Sequence, residues 1–234
     1  MFQKVLEFLT TKEVYSETEV YYTPTVAGNI VLFLVIALLF VAMAAFSGGK
    51  KKLQVKQLAF AAMAVTLSVV TSFIKFAQLP YGGSITLFSM FFISLIGYLY
   101  GTKIGVLTGI AYGFINLILG PTILHPVQML LDYPIAFGFL GLTGLFSGSK
   151  LGIIKGYLLG VFGRYICHVL TGYLFFSMYA PEGMNAMVYS LGYNATYIVP
   201  EAIATILLLL IPAVQHGLRE VKRMAVDYSI GFSA

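Results

Sequence analysis

Residues 47–78 read SGGKKKLQVKQLAFAAMAVTLSVVTSFIKFAQ, a cluster of lysines followed by a long, mostly apolar stretch. A stretch of about 20 apolar residues is long enough to cross the roughly 30 Å hydrocarbon core of a bilayer. Similar stretches recur along the 234-residue chain, which is 59% hydrophobic and 10% charged and has a mean hydropathy of +0.90. Soluble domains carry about 25% charged residues. The composition therefore predicts an all-α integral membrane protein whose solvent is the lipid bilayer.

The lysine cluster also divides the chain, because it marks the sharpest change in composition. We predict one extra N-terminal transmembrane helix before it and a core of six membrane helices after it. Residues 1–55 are predicted to hold an extracellular segment, the extra helix and a basic cytoplasmic linker. Residues 56–223 form the predicted membrane core, and 224–234 a cytoplasmic tail. The predicted helices span residues 27–46, 56–78, 84–101, 103–119, 123–147, 151–177 and 186–214.

The distribution of lysine and arginine predicts the orientation, because cytoplasmic loops of membrane proteins carry an excess of both. If the loop 47–55 is cytoplasmic, ten of the 14 basic residues lie inside and only Lys4 and Lys12 lie clearly outside. The ten are Lys50, Lys51, Lys52, Lys56, Lys103, Lys150, Lys155, Arg219, Lys222 and Arg223. We therefore expect a multi-pass protein of the cell membrane with its N-terminus outside and its C-terminus in the cytoplasm. Acidic residues precede the first span and basic ones follow it, which is typical of a retained anchor and not of a cleaved signal peptide.

The sequence also argues against several classes of function. The net charge of +5 and the pI near 9.2 do not indicate a nucleic-acid partner, because the lysines lie in short loops instead of along one face. The single cysteine, Cys167, excludes an internal disulfide and CxxC-type motifs. The chain has no Gly-x-x-x-x-Gly-Lys-Ser/Thr motif for ATP and no HExxH motif for zinc. We predict no enzyme, no catalytic residue, no metal and no cofactor.

Six polar residues stand out in the interior of the last three predicted spans, where an ionisable group costs about 2.5–3.5 kcal/mol or more and so indicates function. Residues four or seven positions apart share a helix face. The six form three such pairs: Gln128 with Asp132, Arg164 with His168, and Asn194 with Glu201.

The depth of these residues in the membrane follows from the rise of 1.5 Å per helical residue. Asp132, His168 and Asn194 each lie about 12–13 Å from the outer ends of their helices by this rise. Three separate helices thus bring polar side chains to one level in the outer half of the bilayer. Arg164 and Glu201 lie deeper, at about 20–22 Å, and are expected to pair with each other as a structural ion pair.

Each of these residues also has a purely structural interpretation. Asp132 is either a counter-charge for a cationic solute or a carboxylate neutralised by Arg164 or by a proton. His168 either binds a ligand or makes a hydrogen bond between helices, and Asn194 alone favours a packing hydrogen bond. Cys167 is next to His168, but adjacent residues on a helix diverge by about 100°, which disfavours a Cys–His nucleophile.

Two loops are expected beside the outer polar level. Residues 79–86 read LPYGGSIT, and the double glycine suits either a substrate lid or an ordinary tight turn. The loop YAPEGMN at 179–185 precedes the last span. Tyr189 is five residues before Asn194, which places the two on different faces of a continuous helix. We therefore expect a bent or frayed start of this helix that turns Tyr189 into the site.

The chain resembles the YuaJ/ThiT family, the thiamine-specific substrate-binding subunits (S components) of energy-coupling factor vitamin transporters. The resemblance covers about residues 56–223 and rests on the order and spacing of five motifs. They are GGSIT at 82–86, Gln128-x-x-x-Asp132-Tyr133-Pro134, Arg164-x-x-x-His168, Tyr179-Ala180-Pro181-Glu182-Gly183 and Tyr189-Ser190-x-x-x-Asn194.

The resemblance implies a six-helix S-component core that binds thiamine from outside with high affinity. It implies delivery of the vitamin to a transmembrane coupling protein and two ATP-binding cassette ATPases. The implied substrate-binding residues are Asp132, Tyr133, His168, Tyr189 and Asn194, with Gln128, Arg164, Gly83 and Ser84 beside them. A carboxylate such as Asp132 suits the fixed positive charge of the thiazolium ring, and groups such as His168 or Asn194 suit the aminopyrimidine ring.

The sequence departs from the family pattern at four positions. Gly83 stands where some members carry a tryptophan that stacks on the pyrimidine, and Phe176 replaces a later tryptophan. Leu87 matches a glutamate of those members, and Asp132 is one methylene shorter than the more usual glutamate. Tyr81, Tyr133 and Phe176 are candidates for the stacking role.

Two other functions remain open from the sequence. The first is an autonomous proton-coupled carrier of thiamine or a related vitamin, with Asp132 or Glu201 as the proton site; internal inverted repeats would favour it, and none is seen. The second is an intramembrane enzyme with His168 as its base, which the lack of a paired nucleophile or metal-ligand cluster disfavours.

Overall fold

The computed structural model describes residues 7–14, 20–28, 30, 31, 34 and 55–226. The main helices from Val55 onward are α1 (Val55–Ser72), α2 (Ser89–Tyr100), α3 (Thr102–Ile118), α4 (Pro126–Phe146), α5 (Gly152–Phe175), α6 (Ala186–Leu210) and α7 (Pro212–Val226). The strands β1 (Thr10–Val14) and β2 (Val20–Pro24) pair with each other. The strands β3 (Lys75–Gln78) and β4 (Ser84–Thr86) form a second antiparallel hairpin.

The helices α1 to α6 are the six helices predicted for the membrane core. Four of them, α1, α4, α5 and α6, are long and apolar enough to cross a membrane. The other two are apolar but shorter, with 12 residues in α2 and 17 in α3. The architecture is therefore that of an all-α multi-pass membrane protein, as predicted. The predicted extra helix at 27–46 lies almost entirely outside the described residues.

The connections between α1 and α6 fall at two ends of the bundle, because short connections make neighbouring helices antiparallel. One end carries the β3–β4 hairpin, the connection 119–125 and the connection 176–185, and we call it the loop end. The opposite end carries the turns at 101 and 147–151 and the helix α7. We call it the basic end, because it holds Lys103, Lys150 and Lys222.

The β3–β4 hairpin changes two of the predicted helix boundaries. The helix predicted at 56–78 ends at Ser72, and the one predicted to begin at residue 84 begins at Ser89. The residues between them pair in antiparallel register, Lys75 with Thr86 and Gln78 with Ser84. Apolar composition alone did not reveal this change, because Phe73, Ile74 and Phe76 continue the hydrophobic stretch although they are exposed.

Glycines let the central helices approach at backbone distance, as is common where membrane helices pack. A Cβ atom on Gly109 of α3 would lie 2.2 Å from the carbonyl oxygen of Phe137 in α4. A Cβ atom on Gly141 of α4 would lie 2.0 Å from the backbone nitrogen of Val106. Larger side chains fill the core beside this contact, including Tyr112 and Tyr157, which are 1% and 0% exposed.

The helix α4 contains one wide π-helical turn, Leu131–Ile135. Pro134 lies in this turn and has no backbone N–H for the ordinary i to i−4 hydrogen bond. Single π turns in α-helices are frequently found at functional sites. The turn carries Asp132 and Tyr133, so it determines where these two side chains point.

The last predicted helix, 186–214, is two helices in the structure. The chain is extended at Ile211, with ψ of 124°, and α7 follows as a separate helix. Its Val214 and Leu218 pack on the apolar cluster of Phe91, Ile153 and Leu209 at the basic end. The Lys222 ammonium lies 4.1 Å from the ring centroid of Tyr98. The first three residues of the predicted tail, 224–226, are the end of α7, and 227–234 lie outside the described residues.

Candidate ligand-binding cavity

A cavity of about 500 Å³ lies at the loop end of the bundle. Its walls come mainly from α3, α4, α5 and α6, with the end of α1 and the start of α2 beside them, and the β3–β4 hairpin covers it. All nine residues predicted for the site line it: Gly83, Ser84, Gln128, Asp132, Tyr133, Arg164, His168, Tyr189 and Asn194. The volume falls in the range of about 300–1,000 Å³ that is typical of small-molecule sites.

Asp132 is one of two acidic side chains that line the cavity and is only 8% exposed. Its Oδ2 accepts a hydrogen bond from Gln128 Nε2 at 2.7 Å, and its Oδ1 accepts one from Thr171 Oγ1 at 2.5 Å. His168 Nδ1 lies 2.9 Å from the same Oδ1. These donors hold the carboxylate in one orientation on the wall of the cavity.

His168 connects Asp132 to Arg164. The Arg164 Nε donates a hydrogen bond to His168 Nε2 at 3.3 Å. Because Nε2 acts as the acceptor, the hydrogen of the neutral ring lies on Nδ1 and is donated to Asp132. The Arg164 guanidinium carbon lies 4.2 Å from the centroid of the Phe137 ring, a cation–π contact.

The predicted ion pair between Arg164 and Glu201 is wrong. Arg164 instead donates to His168 Nε2 and lies over the Phe137 ring. The Glu201 carboxylate instead accepts hydrogen bonds from the segment that begins α2. The prediction failed because equal depth along two helices does not show which way each side chain points around its helix axis.

Gln128 and Tyr133 organise the connection between α3 and α4. Gln128 is 1% exposed and bonds to Thr122 O, Leu124 N and Asp132 Oδ2 at 2.7–3.0 Å. The Tyr133 hydroxyl accepts a hydrogen bond from Thr122 N at 2.8 Å. Both side chains therefore fix the cavity wall, and the Tyr133 ring also lines the cavity.

The helix α6 presents two rows of side chains to the cavity. Ser190 and Asn194 form one row: Asn194 Nδ2 donates to His168 O at 3.1 Å, and its Oδ1 accepts from Tyr197 at 2.6 Å. Tyr189, Tyr193 and Tyr197 form the other row at four-residue spacing, with neighbouring ring centroids 5.8 and 5.9 Å apart. The prediction that this helix has a bent or frayed start is wrong. The start is regular and capped by Asn185, whose side chain accepts from Met187 N and Val188 N.

Aromatic rings also close the top of the cavity, where the sequence has a glycine in place of tryptophan. Tyr81 of the hairpin stacks on Tyr179 at 3.9 Å between ring centroids, with 24° between their planes. Gly83 N donates to the Tyr193 hydroxyl at 3.0 Å, and that hydroxyl donates to Pro80 O. A Cβ atom on Gly83 would lie 2.8 Å from the Tyr197 ring, so a bulkier residue does not fit there without movement.

Sequence reasoning missed Thr171, Tyr193 and Tyr197. Thr171 is three residues after His168, and a small hydroxyl residue in an apolar helix carries little signal by itself. The tyrosines had a signal in their spacing, since Tyr189, Tyr193 and Tyr197 recur every four residues. Among the described residues there is no cluster of three or more His, Cys, Asp or Glu side chains that could hold a metal ion.

The fold and the cavity define a multi-pass helical membrane protein with a polar, aromatic-lined site for a small solute. The chain belongs to the thiamine transporter family, because residues 58–219 match the sequence profile described as "Thiamine transporter protein (Thia_YuaJ)". The family is one of transport and not of catalysis.

Two curated relatives carry the name thiamine transporter ThiT. The protein of Bacillus subtilis (strain 168) is 36% identical over 162 residues, which are 63% of this chain and 83% of the relative. The protein of Lacticaseibacillus paracasei is 31% identical over 165 residues, covering 63% and 79%. The solved structure of ThiT from Listeria monocytogenes superposes with a TM-score of 0.56 and 24% identity, covering 68% of this chain and 96% of that one. This last likeness supports the fold.

Proposed function

We propose that this protein binds thiamine in the cavity at the loop end and carries it into the cell. The observation that carries the proposal is Asp132, a buried carboxylate held by three side chains on the wall of an aromatic cavity. Thiamine has a thiazolium ring with a fixed positive charge, so it suits a fixed carboxylate in such surroundings. Membership of the thiamine transporter family supports the same ligand.

The other parts of the vitamin suit the remaining walls. The aminopyrimidine ring needs hydrogen-bond partners and an aromatic face. The hydroxyls of the tyrosine row on α6 and the Ser84 hydroxyl supply hydrogen-bond partners. Tyr81, Tyr179 and Phe176 supply aromatic surface at the top. The two rings of thiamine thus have different partners, and the cation belongs at the Asp132 side.

We further propose that transport follows the energy-coupling factor scheme. In it, this chain is the high-affinity substrate-binding S component, and a transmembrane coupling protein with two ATP-binding cassette ATPases supplies the energy. The absence of an ATP-binding motif in the sequence supports the need for partners. The exposed face of α1 with Ala62 and Thr66 offers small residues on which a partner helix can pack.

The test is calorimetric titration of the purified protein with thiamine and with a neutral analogue in which an uncharged thiophene replaces the thiazolium ring. We expect tight, sub-micromolar binding of thiamine. The Asp132→Asn variant should bind thiamine about 10- to 100-fold more weakly and the neutral analogue almost unchanged. Glu220→Gln on α7 is the matched control, since it removes an acid far from the cavity and should bind like wild type. Micromolar or weaker binding of thiamine that Asp132→Asn does not affect would disprove the proposal.

A further inference from the structure

Glu201 is a buried acid on the cavity wall that the proposed thiamine site does not use. It lies on α6, four residues after Tyr197, and is 4% exposed. Its Oε2 accepts hydrogen bonds from Thr86 Oγ1 at 2.6 Å and from Thr86 N at 3.3 Å. Its Oε1 accepts from Met90 N at 3.1 Å and from Ser89 Oγ at 3.2 Å. Both oxygens are therefore bonded to protein donors.

All these donors lie where the β3–β4 hairpin joins α2. Thr86 is the last residue of β4, and Ser89 and Met90 are the first two residues of α2. The first N–H groups of a helix have no partner within the helix and attract negative charge. Within the described chain, the N-cap residue of α2, Phe88, gives no side-chain hydrogen bond to this end. Glu201 thus supplies from another helix the cap that the local sequence lacks.

The base of the hairpin and its tip are held by different contacts. Glu201 holds the base at Thr86, through two hydrogen bonds to one carboxylate oxygen. The tip, Pro80–Gly83, is held by the Tyr81–Tyr179 stack and by the Tyr193 hydroxyl. Four hydrogen bonds meet at the Glu201 side chain, whereas one ring stack and the contacts of a single hydroxyl hold the tip, so the base is the firmer of the two attachments.

We propose that Glu201 is a positioning residue that anchors the base of the β3–β4 hairpin to α6. The anchor sets where Tyr81 and Gly83 lie over the cavity, so the loop opens at its tip instead of lifting as a whole. This inference rests on the proposed function for its ligand, thiamine, but its structural part is measurable without any ligand. Glu201 neither contacts Asp132 nor takes its role as counter-charge.

The test uses hydrogen–deuterium exchange together with stopped-flow binding of thiamine to the purified full chain. Glu201→Gln keeps an acceptor for Met90 but points an amide NH2 group at the Thr86 N–H. Thr86→Val removes one hydroxyl donor and leaves the Glu201 carboxylate intact, so it serves where Glu201→Gln folds poorly. Glu220→Gln, on the exposed side of α7, is the matched control.

We expect the amides of residues 84–90 to exchange about tenfold faster in Glu201→Gln and severalfold faster in Thr86→Val, without ligand. Amides of α4 and α5 around Asp132 and His168 should exchange as in wild type. Thiamine should dissociate about tenfold faster from Glu201→Gln, because the covering loop is less firmly held. Glu220→Gln should change neither measurement.

Two results would overturn the inference: unchanged exchange at 84–90 in both folded variants, or an equal increase in all helices, which indicates general destabilisation. If wild type does not bind thiamine, the proposed ligand is wrong. The exchange data from the ligand-free protein still decide whether Glu201 anchors the hairpin.

Discussion

His168 is the residue at which the polar groups of the cavity wall meet. Its ring donates to Asp132 and accepts from Arg164, and its backbone carbonyl accepts from Asn194. This single residue therefore links α4, α5 and α6 at the level of the cavity. It also holds the Arg164 guanidinium against an imidazole nitrogen.

The substitution His168→Phe tests this role, because phenylalanine keeps a ring but removes both side-chain hydrogen bonds. We expect thiamine to bind about 10- to 100-fold more weakly, since Asp132 loses a donor and Arg164 loses its acceptor. Calorimetric titration measures the change. Tyr173→Phe on the same helix is the control, because Tyr173 is 43% exposed and does not line the cavity. Wild-type affinity in His168→Phe would contradict the role.

At the residue scale, spacing predicted which polar groups share a face, and depth predicted their level. Asp132, His168 and Asn194 were expected at one level, and the structure brings them into one hydrogen-bonded group. The contact of Glu201 with Thr86 was not predictable in this way. It depends on a hairpin that places its last residue, Thr86, against a helix residue 115 positions away in sequence.

Helices α3 and α4 meet through glycine, so their contact is sensitive to a single methyl group. Gly109→Ala puts a Cβ atom into the Phe137 carbonyl, and we expect overpacking to lower the free energy of unfolding by about 1–3 kcal/mol. The matched control is Gly192→Ala on α6, where nothing lies within 4 Å of the added atom. That control should be neutral or slightly stabilising. Thermal unfolding in detergent compares the two, and equal effects would show that the contact is not tight.

The π-helical turn of α4 is the second element-scale feature with a measurable effect. Pro134→Ala restores a backbone N–H and allows an ordinary α-helical turn in place of the wide one. We expect the melting temperature to stay the same or rise, while thiamine binds at least tenfold more weakly because Asp132 and Tyr133 turn away from their partners. Unchanged affinity would mean that the π turn does not orient the site.

The sequence predicted six core helices because a long apolar stretch is a strong signal for a membrane helix. The signals for where each helix ends are weaker. Residues 73–78 are apolar enough for a helix, yet Lys75–Gln78 pairs as a strand with Ser84–Thr86. At the other end of the core, Pro212 begins a new helix after the extended Ile211. A proline after an apolar run indicates a break, but the sequence does not show whether the chain continues across the membrane or turns along it.

The two ends of the bundle differ in charge and in structure, and this difference indicates how the molecule is oriented in the membrane. The basic end joins α7 to the rest of the bundle through Lys222, which donates to Ser147 O, and Lys56, which donates to Met224 O. The loop end holds the cavity and its aromatic cover. Because basic residues favour the cytoplasmic side, the cavity is proposed to open to the outside.

Cysteine labelling in intact cells tests this orientation. Glu182→Cys places a thiol in the exposed connection at the loop end, and Lys150→Cys places one in the exposed turn at the basic end. A membrane-impermeant maleimide should label the first variant in intact cells and the second only after the membrane is permeabilised. The native Cys167 is 4% exposed and provides the unlabelled background. The reverse pattern would place the cavity on the cytoplasmic side, where it binds a solute already inside the cell, and capture of external thiamine would then be excluded.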